Sequence, residues 1–268
     1  MSRVLPLIAT LRRAAAAALI LSLAACGGPG GGGVEERYAT KGDAKPHPGV
    51  AAAQGMPIHG IDVSKWQGEI DWAAVRSAGT QFAFIKATEG GDHLDDRFAQ
   101  NWAGAKAAGV PRSAYHFIFW CRPAHEQADW FRRHIPADAD ALPPVLDLEW
   151  NGHSKLCPRK LSKPDALEKI KVMIAAMEAH TGKRPILYTD ITFHKDVLEG
   201  ELNDYPFWVR SVAAEPQERY QDRGWAFWQY TTTGRVPGIR GHVDRNVFAG
   251  SEREWRTWLA GSTRGAGY

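Results

Sequence analysis

Two carboxylates stand two residues apart in a short apolar segment, residues 143–150, with the sequence PPVLDLEW. A double proline cannot lie inside a helix, and the apolar residues after it predict a short strand. Alternate side chains of a strand share a face, so Asp147 and Glu149 point the same way, with α-carbons roughly 6.5 Å apart. Leu146 and Leu148 take the opposite face, which we expect to pack against helices.

Such a pair of acids favours a functional explanation. Desolvation favours the neutral form of a carboxylic acid, and each charge disfavours ionisation of the other. One carboxyl group can thereby stay protonated near neutral pH and donate a proton. The alternative is a strand end that emerges into solvent, where Asp and Glu are ordinary, and residues 143–150 alone do not decide between the two.

Two further acids, Asp62 and Asp244, lie in predicted strands far apart in the sequence. If the chain forms a closed barrel, the first and last strands are neighbours, and the strand with Asp147 and Glu149 faces them from the opposite wall. Four converging carboxylates are typical of glycoside hydrolysis, or of a site for a hard metal ion with oxygen ligands.

Aromatic residues favour a sugar over a metal ion. The chain has 11 Trp, and many aromatic side chains flank the same predicted strand ends. Flat apolar faces with a polar edge suit the CH faces of pyranose rings. The residues concerned are Trp66, Trp120, Trp150, Trp208, Trp228, Tyr115, Tyr188 and Tyr230. Tryptophans on predicted helices are more simply explained as core residues.

The elements that must position these residues alternate between strand and helix. Strands are predicted at 58–64, 81–87, 113–119, 145–149, 185–189, 207–212, 226–231 and 242–248. Helices are predicted at 72–78, about 95–108, 124–134, about 163–180 and 252–259, with Asp71 and Ser162 as the N-caps of the first and the fourth. Repeated alternation favours right-handed crossovers into a parallel sheet, and eight strands in roughly 205 residues fit a compact (β/α) barrel without its last helices. An open doubly wound sheet is the alternative, although no dinucleotide fingerprint follows the first strand.

The N-terminal segment is predicted to lie outside the folded domain. Residues 1–25 carry three arginines, an apolar run too short for a comfortable membrane span, and small residues, which is the pattern of an export signal. Residues 26–55 are rich in Gly and Pro and predict a flexible tether. The folded domain is then expected at 56–262, with a short tail at 263–268.

The signal ends in Leu23-Ala24-Ala25-Cys26, which resembles the lipobox of bacterial lipoproteins, in which the cysteine becomes the lipidated first residue. The alternative is a plain signal peptide cleaved nearby. Multiple acyl chains would anchor the product to a membrane facing the periplasm or cell wall. The outer membrane is favoured because Gly27 replaces the Asp that often signals inner-membrane retention.

Net charge argues against nucleic acid as a partner. Removal of residues 1–25 takes away three arginines and no acids, so 33 Lys and Arg become 30, against 30 Asp and Glu. The mature protein is then formally neutral. The local basic run of Lys155, Arg159, Lys160 and Lys163 is typical of a solvated loop.

Cys121 and Cys157 are predicted to form a disulfide. In an exported protein such a pair is more typical of a bridge than of a metal site, and no second Cys or His stands at zinc spacing. The bridge would tie the segment after the third strand to the loop after Trp150, and so would hold the wall of the cleft.

Seven motifs along residues 58–248 occur together and in order. They are GIDVSKWQGEIDW (60–72), FAFIKATEG (82–90), AYHF (114–117), PPVLDLEW (143–150), PILYT (185–189), FWV (207–209) and WQYTTTGRVPGIRGHVDRNVF (228–248). In these motifs the chain resembles glycoside hydrolase family 25, the Chalaropsis-type lysozymes or N-acetylmuramidases. The resemblance implies a single-domain (β/α)5(β)3 barrel, an irregular TIM-like α/β fold, that cleaves the β-1,4 bond between N-acetylmuramic acid and N-acetylglucosamine without cofactor or metal.

The resemblance also implies roles at the matching positions. Glu149 would be the general acid that protonates the leaving oxygen, and then the base that activates water. Asp147 would orient the substrate's 2-acetamido group, whose carbonyl serves as internal nucleophile in substrate-assisted enzymes. Asp62 and Asp244 would set the field that keeps Glu149 protonated. The residues that would line the sugar site are Tyr115, Tyr188, Trp208, Gln229 and Trp66.

The chain departs from the common family pattern in two respects. The loop at 155–163 and Cys121 look like an addition beside the cleft, and wall-binding repeats are absent, so a lipid anchor could take their place near the wall. The expected partners are peptidoglycan glycan strands and a membrane, with the protein a monomer. The rival hypothesis is a membrane-tethered peptidoglycan-binding protein that has lost catalysis, and the presence of all four acids argues against it.

Overall fold

The computed structural model describes residues 43–152, 154–221 and 223–263. The predicted signal peptide at 1–25, the predicted lipidation site Cys26 and the first part of the predicted tether lie outside the described residues. Most of the predicted C-terminal tail does so too.

A closed sheet forms the centre of the fold. Its strands are β1 (His59–Val63), β2 (Phe82–Glu89), β3 (His93–Leu94), β4 (Arg112–Phe117), β5 (Val145–Leu148), β6 (Ile186–Thr189), β7 (Phe207–Arg210), β8 (Phe227–Gly234) and β9 (Val243–Phe248). Neighbouring strands run parallel in the order β1, β2, β4, β5, β6, β7, β8, and β9 pairs antiparallel with both β8 and β1. Eight strands therefore close a barrel, and β3 is a short antiparallel addition to β2. The predicted α/β barrel is confirmed, and the open doubly wound alternative is wrong.

Helices connect the strands along the outside of the barrel. They are α1 (Ala51–Gln54), α2 (Trp72–Ser77), α3 (Phe98–Ala107), α4 (Ala124–His134), α5 (Lys163–Thr181), α6 (Ile191–Phe193), α7 (Pro216–Tyr220) and α8 (Glu252–Thr263). Short 3-10 turns lie at Pro48–Val50 and Lys65–Gln67, and a π-helical turn at His194–Leu198. As predicted, Asp71 and Ser162 cap the N-termini of α2 and α5 through side-chain hydrogen bonds to the backbone. The sequence does not predict α1, α6 and α7, which are too short to have a helical period.

The barrel has two separate apolar cores. Outward side chains such as Leu146 and Leu148 of β5 are buried against the helices, as predicted. Inward side chains form a second cluster that is rich in aromatic rings, in which Phe84 packs 4.3 Å from Trp208 between ring centroids. Trp255 of α8 joins this cluster. The interior is thus filled by this aromatic cluster, which we call the apolar floor of the site. Polar side chains further along the strands lie directly above it.

The described part of the predicted tether belongs to the barrel domain. Asp43 forms a β-bridge with Gly234, and its Oδ1 accepts a hydrogen bond of 2.5 Å from the hydroxyl of Thr233. Val50 and Ala53 are buried in the outer core. The described residues 43–55 therefore pack against the barrel, although their composition is that of a linker.

We predict that Gly49→Ala destabilises the protein by about 1–3 kcal/mol, the usual cost of overpacking. A Cβ at this position would overlap the carbonyl oxygen of Ala213, which is backbone and cannot move aside cheaply. Urea unfolding should show a lower midpoint with an unchanged slope.

The matched control is Gly55→Ala in the same segment, where the new Cβ would meet the nearest oxygen, that of Ala52, at an ordinary 3.7 Å. We expect this variant to be neutral or slightly more stable, since alanine restricts the unfolded chain. Equal midpoints for the two variants would contradict the docking of this segment.

Candidate active site

The structure brings the four predicted acids to one end of the barrel. Asp62 of β1 and Asp244 of β9 are direct partners in an antiparallel pair. Asp147 lies in β5, and Glu149 follows that strand directly. Because β9 is antiparallel to the other strands, its first residues lie beside the carboxyl ends of its neighbours, where barrel active sites form.

Two amides link the acids of β1 and β9. The Oδ2 atom of Asp62 accepts hydrogen bonds from Nε2 of Gln229 at 2.9 Å and from Nδ2 of Asn246 at 2.8 Å. The same Gln229 nitrogen lies 3.2 Å from Oδ2 of Asp244. The hydroxyl of Tyr188 donates to Oε1 of Gln229 at 2.9 Å, which fixes the orientation of the amide. Asp62 and Asp244 therefore share one donor.

Asp147 is buried with an unsatisfied oxygen. Its α-carbon pairs with those of Phe117 on one side and Tyr188 on the other, and the residue is 8% exposed. Its Oδ1 has no hydrogen-bond partner among the described residues. Burial, reinforced by the charge of Glu149, raises the pKa of Asp147 well above its usual range, while the charge of Lys86 opposes that shift. A buried acceptor is costly to leave unpaired, which makes this carboxyl group a candidate functional group.

Glu149 has the protonation behaviour of a general acid. Burial raises its pKa to about 7, with a further contribution from the charge of Asp190. The charge of Arg210 and the nearby hydroxyl of Tyr188 lower it. The main-chain carbonyl of Glu149 accepts a hydrogen bond of 2.6 Å from the indole of Trp120. A group that is partly protonated near neutral pH can donate and later accept a proton.

Asp62 and Asp244 titrate as a pair of interacting acids. Burial raises the pKa of Asp62 to about 6, although the hydrogen bonds from Asn246 and Gln229 oppose the shift. Burial and then the charge of Asp62 raise the pKa of Asp244 to about 8. Near pH 7 the pair therefore carries one negative charge, which the two acids share.

The predicted sugar-lining residues lie at three depths. Tyr115, Tyr188 and Gln229 stand among the acids: both tyrosines have raised pKa values, through burial and then the nearby carboxylates. Trp208 lies deeper, 2% exposed, and its indole donates to Oδ1 of Asn246 at 2.8 Å, so it supports the amide from below. Trp66 is 81% exposed, on the 3-10 turn that follows β1.

The segments that follow β4 and β5 are linked to each other beside Glu149. A disulfide joins Cys121 to Cys157, with α-carbons 5.4 Å apart. The Oδ1 atom of Asn151 accepts from the backbone nitrogen of Trp120 at 2.9 Å, and its Nδ2 donates to the carbonyl of Ile118 at 2.9 Å. The backbone around Glu149 is thus held from both sides by the segment that follows β4.

Three residues of the site are not predicted from the sequence. They are Asn246, Asp190 and Arg210. Each follows another site residue by two positions, so strand alternation was the signal that could have found them. Asn246 and Arg210 extend the inward faces of β9 and β7.

A metal-binding cluster and a membrane-spanning helix were searched for in the three described ranges of the chain. In those ranges no group of three or more His, Cys, Asp or Glu side chains is placed to hold a metal ion. No helix there is both long and apolar enough to cross a membrane.

Known proteins share the sequence and the fold. The sequence model of Glycosyl hydrolases family 25 matches residues 61–239. Lysozyme M1 of Streptomyces globisporus is 40% identical over 214 residues, which are 75% of this chain and 71% of that protein. The structure of a bacterial lysozyme from Streptomyces coelicolor is 38% identical, with a TM-score of 0.67 over 78% of this chain and 98% of that one. A family 25 glycosyl hydrolase from Bacillus anthracis is 34% identical, with a TM-score of 0.72 over 80% of this chain and 97% of that one.

We expect Asp244→Asn to stabilise the protein at alkaline pH and to have little effect at acid pH. The pKa of Asp244 is raised to about 8 in the folded state, against about 3.9 for an unperturbed Asp. The protonated group therefore contributes stability that is complete below the unfolded value and is lost as pH rises through the folded one. The neutral amide avoids that loss, which we place on the order of a few kcal/mol.

Urea unfolding at pH 4 and at pH 9 measures the difference. The matched control is Asp140→Asn, at an acid whose side chain is 77% exposed, for which we expect no comparable gain at pH 9. An Asp244→Asn variant with the same stability difference from wild type at both pH values would contradict the assigned shift.

Proposed function

The chain belongs to glycosyl hydrolase family 25 and is a glycoside hydrolase of the lysozyme type, and we propose that it cleaves the β-1,4 bond between N-acetylmuramic acid and N-acetylglucosamine in peptidoglycan. One observation carries the proposal. Asp147 and Glu149 leave one face of β5 above an apolar floor, one with an unsatisfied oxygen and the other with a pKa raised to about 7. That pair supplies a donor of protons and an acceptor for an amide N–H.

Glu149 is the general acid and then the general base. Its protonated carboxyl gives a proton to the glycosidic oxygen as the bond to the anomeric carbon breaks. The carboxylate that remains takes a proton from the attacking water in the second step. A group with its pKa near the working pH serves both steps well.

Asp147 positions the 2-acetamido group of the substrate. The acetamide N–H donates to the carboxyl group of Asp147, which is 8% exposed and whose Oδ1 has no partner in the described part of the chain. The acetamide carbonyl oxygen then attacks the anomeric carbon as the leaving sugar departs with the proton from Glu149. Water opens the cyclic intermediate, and its proton returns to Glu149.

Asp62 and Asp244 supply the surrounding field, and aromatic side chains hold the sugar. The single charge shared by the two acids disfavours ionisation of Glu149 and stabilises positive charge that develops at the anomeric carbon. Tyr115 and Tyr188 offer hydroxyl groups inside the mouth. The exposed Trp66 offers a flat face for a more distant sugar ring.

We predict that Glu149→Gln lowers the release of new reducing ends from peptidoglycan by at least about 100-fold, within the range that general acid–base catalysis contributes. The amide keeps the shape of the side chain but cannot donate the proton. The assay is reducing-end release from purified sacculi, with mass spectrometry of the products to identify the sugar that carries the new end.

Glu218→Gln, at an exposed acid of α7, is the matched control and should retain full activity. Activity in Glu149→Gln equal to wild type would refute the assigned role. New reducing ends on N-acetylglucosamine would refute the bond specificity. A wild-type protein that binds sacculi without releasing ends would instead support a non-catalytic binding protein, and loss of activity in EDTA would support a metal site.

We further propose that the protein acts as a monomer in the cell envelope, anchored through a lipid on Cys26. The support is the order of Leu23, two small residues and Cys26 after an apolar run. In cells, Cys26→Ala should move the protein from the membrane fraction to the soluble fraction, and globomycin should block processing of the wild type. Normal processing in globomycin would contradict the lipoprotein assignment and leave the hydrolase assignment intact.

A further inference from the structure

Three charged residues stand in one row across neighbouring strands. Leu148 of β5 pairs with Thr189 of β6, and Thr189 pairs with Val209 of β7. The next residue on each strand is therefore Glu149, Asp190 and Arg210, at successive spacings of about 4.8 Å between strands.

All three residues of this row follow the inward faces of their strands. Two positions before them lie Asp147, Tyr188 and Trp208, and Tyr188 and Trp208 belong to the aromatic core inside the barrel. Since side chains alternate along a strand, Glu149 and Arg210 also face the barrel axis. Asp190 lies between them at the N-cap of α6, where its Oδ1 accepts a hydrogen bond of 2.7 Å from the backbone nitrogen of Phe193. The row is thus acid, acid, cation, at the mouth of the site.

The Arg210 guanidinium is not paired with any single acid in the described ranges. In the described ranges no carboxylate oxygen lies within 4.0 Å of its nitrogens, so it forms no salt bridge there. Its backbone is well fixed, because its carbonyl accepts a hydrogen bond of 2.6 Å from the hydroxyl of Tyr220 and its α-carbon pairs with that of Gln229. A cation that is anchored through its backbone and has no ion-pair partner in the described ranges can act on several surrounding acids through its charge.

We propose that Arg210 is a positioning residue for the hydrolysis: its guanidinium is the shared counter-ion of the acids at the mouth of the barrel and sets the pH range in which Glu149 donates its proton. The proposal rests on the proposed role of Glu149. It adds a residue that does not touch the reacting atoms and acts through the charge of those that do.

The charges around Arg210 come from several strands. Its positive charge lowers the pKa values of Glu149, Asp190, Asp62 and Asp244, which belong to four different segments. It also lowers those of the hydroxyls of Tyr188 and Tyr220.

The remaining charges lie at the edges of the row. Lys86 acts on Asp147, on the other side of Glu149. Lys160 and Asp196 act on Asp190 with opposite signs. Arg210 is therefore the cation that Asp62, Glu149 and Asp244 have in common. Without it each of these carboxyls would hold its proton to higher pH.

The test compares Arg210→Met, Arg210→Gln and Arg210→Lys in the full-length protein. The readout is the pH dependence of kcat/KM on a peptide-free glycan of alternating N-acetylglucosamine and N-acetylmuramic acid. We expect both limbs of the profile to rise by about one pH unit in the Met and Gln variants, because the acids lose a favourable charge. Arg210→Lys should keep the limbs near their wild-type positions. Arg219→Gln removes an exposed cation of α7 and should leave the profile unchanged.

A second readout does not depend on activity. Arg210 stabilises ionised carboxylates, so the stability lost in Arg210→Met should be small at pH 4 and should grow as pH rises through 6 to 8. Urea unfolding of wild type and variant across this range measures the difference. This result stands or falls separately from the hydrolase assignment, which the activity of Glu149→Gln decides.

Two results would overturn the proposal. One is a fall in kcat/KM that is uniform with pH, with both limbs in place and a stability loss independent of pH, because Arg210 would then only fill space. The other is a profile in Arg210→Lys displaced as far as in Arg210→Met, because charge would then not be the relevant property.

Discussion

The structure depends on the burial of several carboxylic acids above a dry apolar floor. Along each inward strand face the side chains change from apolar to polar toward the carboxyl end: Phe84 precedes Lys86 on β2, and Val145 precedes Asp147 on β5. The filled interior excludes water from below, so ionisation is costly for every acid at the mouth. The raised pKa values of Asp62, Glu149 and Asp244 share burial as their first cause.

Closure of the sheet makes this arrangement possible. The antiparallel strand β9 brings Asp244 beside Asp62, and its next inward residue, Asn246, donates to Asp62. An open sheet would leave the first and last strands apart and solvate both acids. The geometry therefore couples fold and protonation: the strand that closes the barrel also holds two acids close enough that they share one charge.

The sequence predicts the features that depend on local patterns. Strand alternation assigns the two faces of β5, and helix capping places Asp71 and Ser162 at the correct ends of their helices. Each motif that leads to the family includes residues of a barrel strand. The packing of residues 43–55 could not be predicted, because Val50 and Ala53 are buried by tertiary contacts in a segment without a helical or strand period.

An irregularity in β2 shows why the rest of the site also needed the structure. Regular alternation puts Lys86 and Thr88 on one face, yet the register shifts between them. Thr88 instead turns outward to the imidazole of His116 at 2.8 Å, while Lys86 stays at the mouth, 5.2 Å from the ring of Phe117. Because of this bulge Glu89 lies next to the ammonium of Lys86, at 2.5 Å. The cation that favours an ionised Asp147 is therefore itself shared with a second acid, as Arg210 is shared on the opposite side of Glu149. In both cases the sharing of one cation between acids depends on the register between strands, which a single sequence does not encode locally.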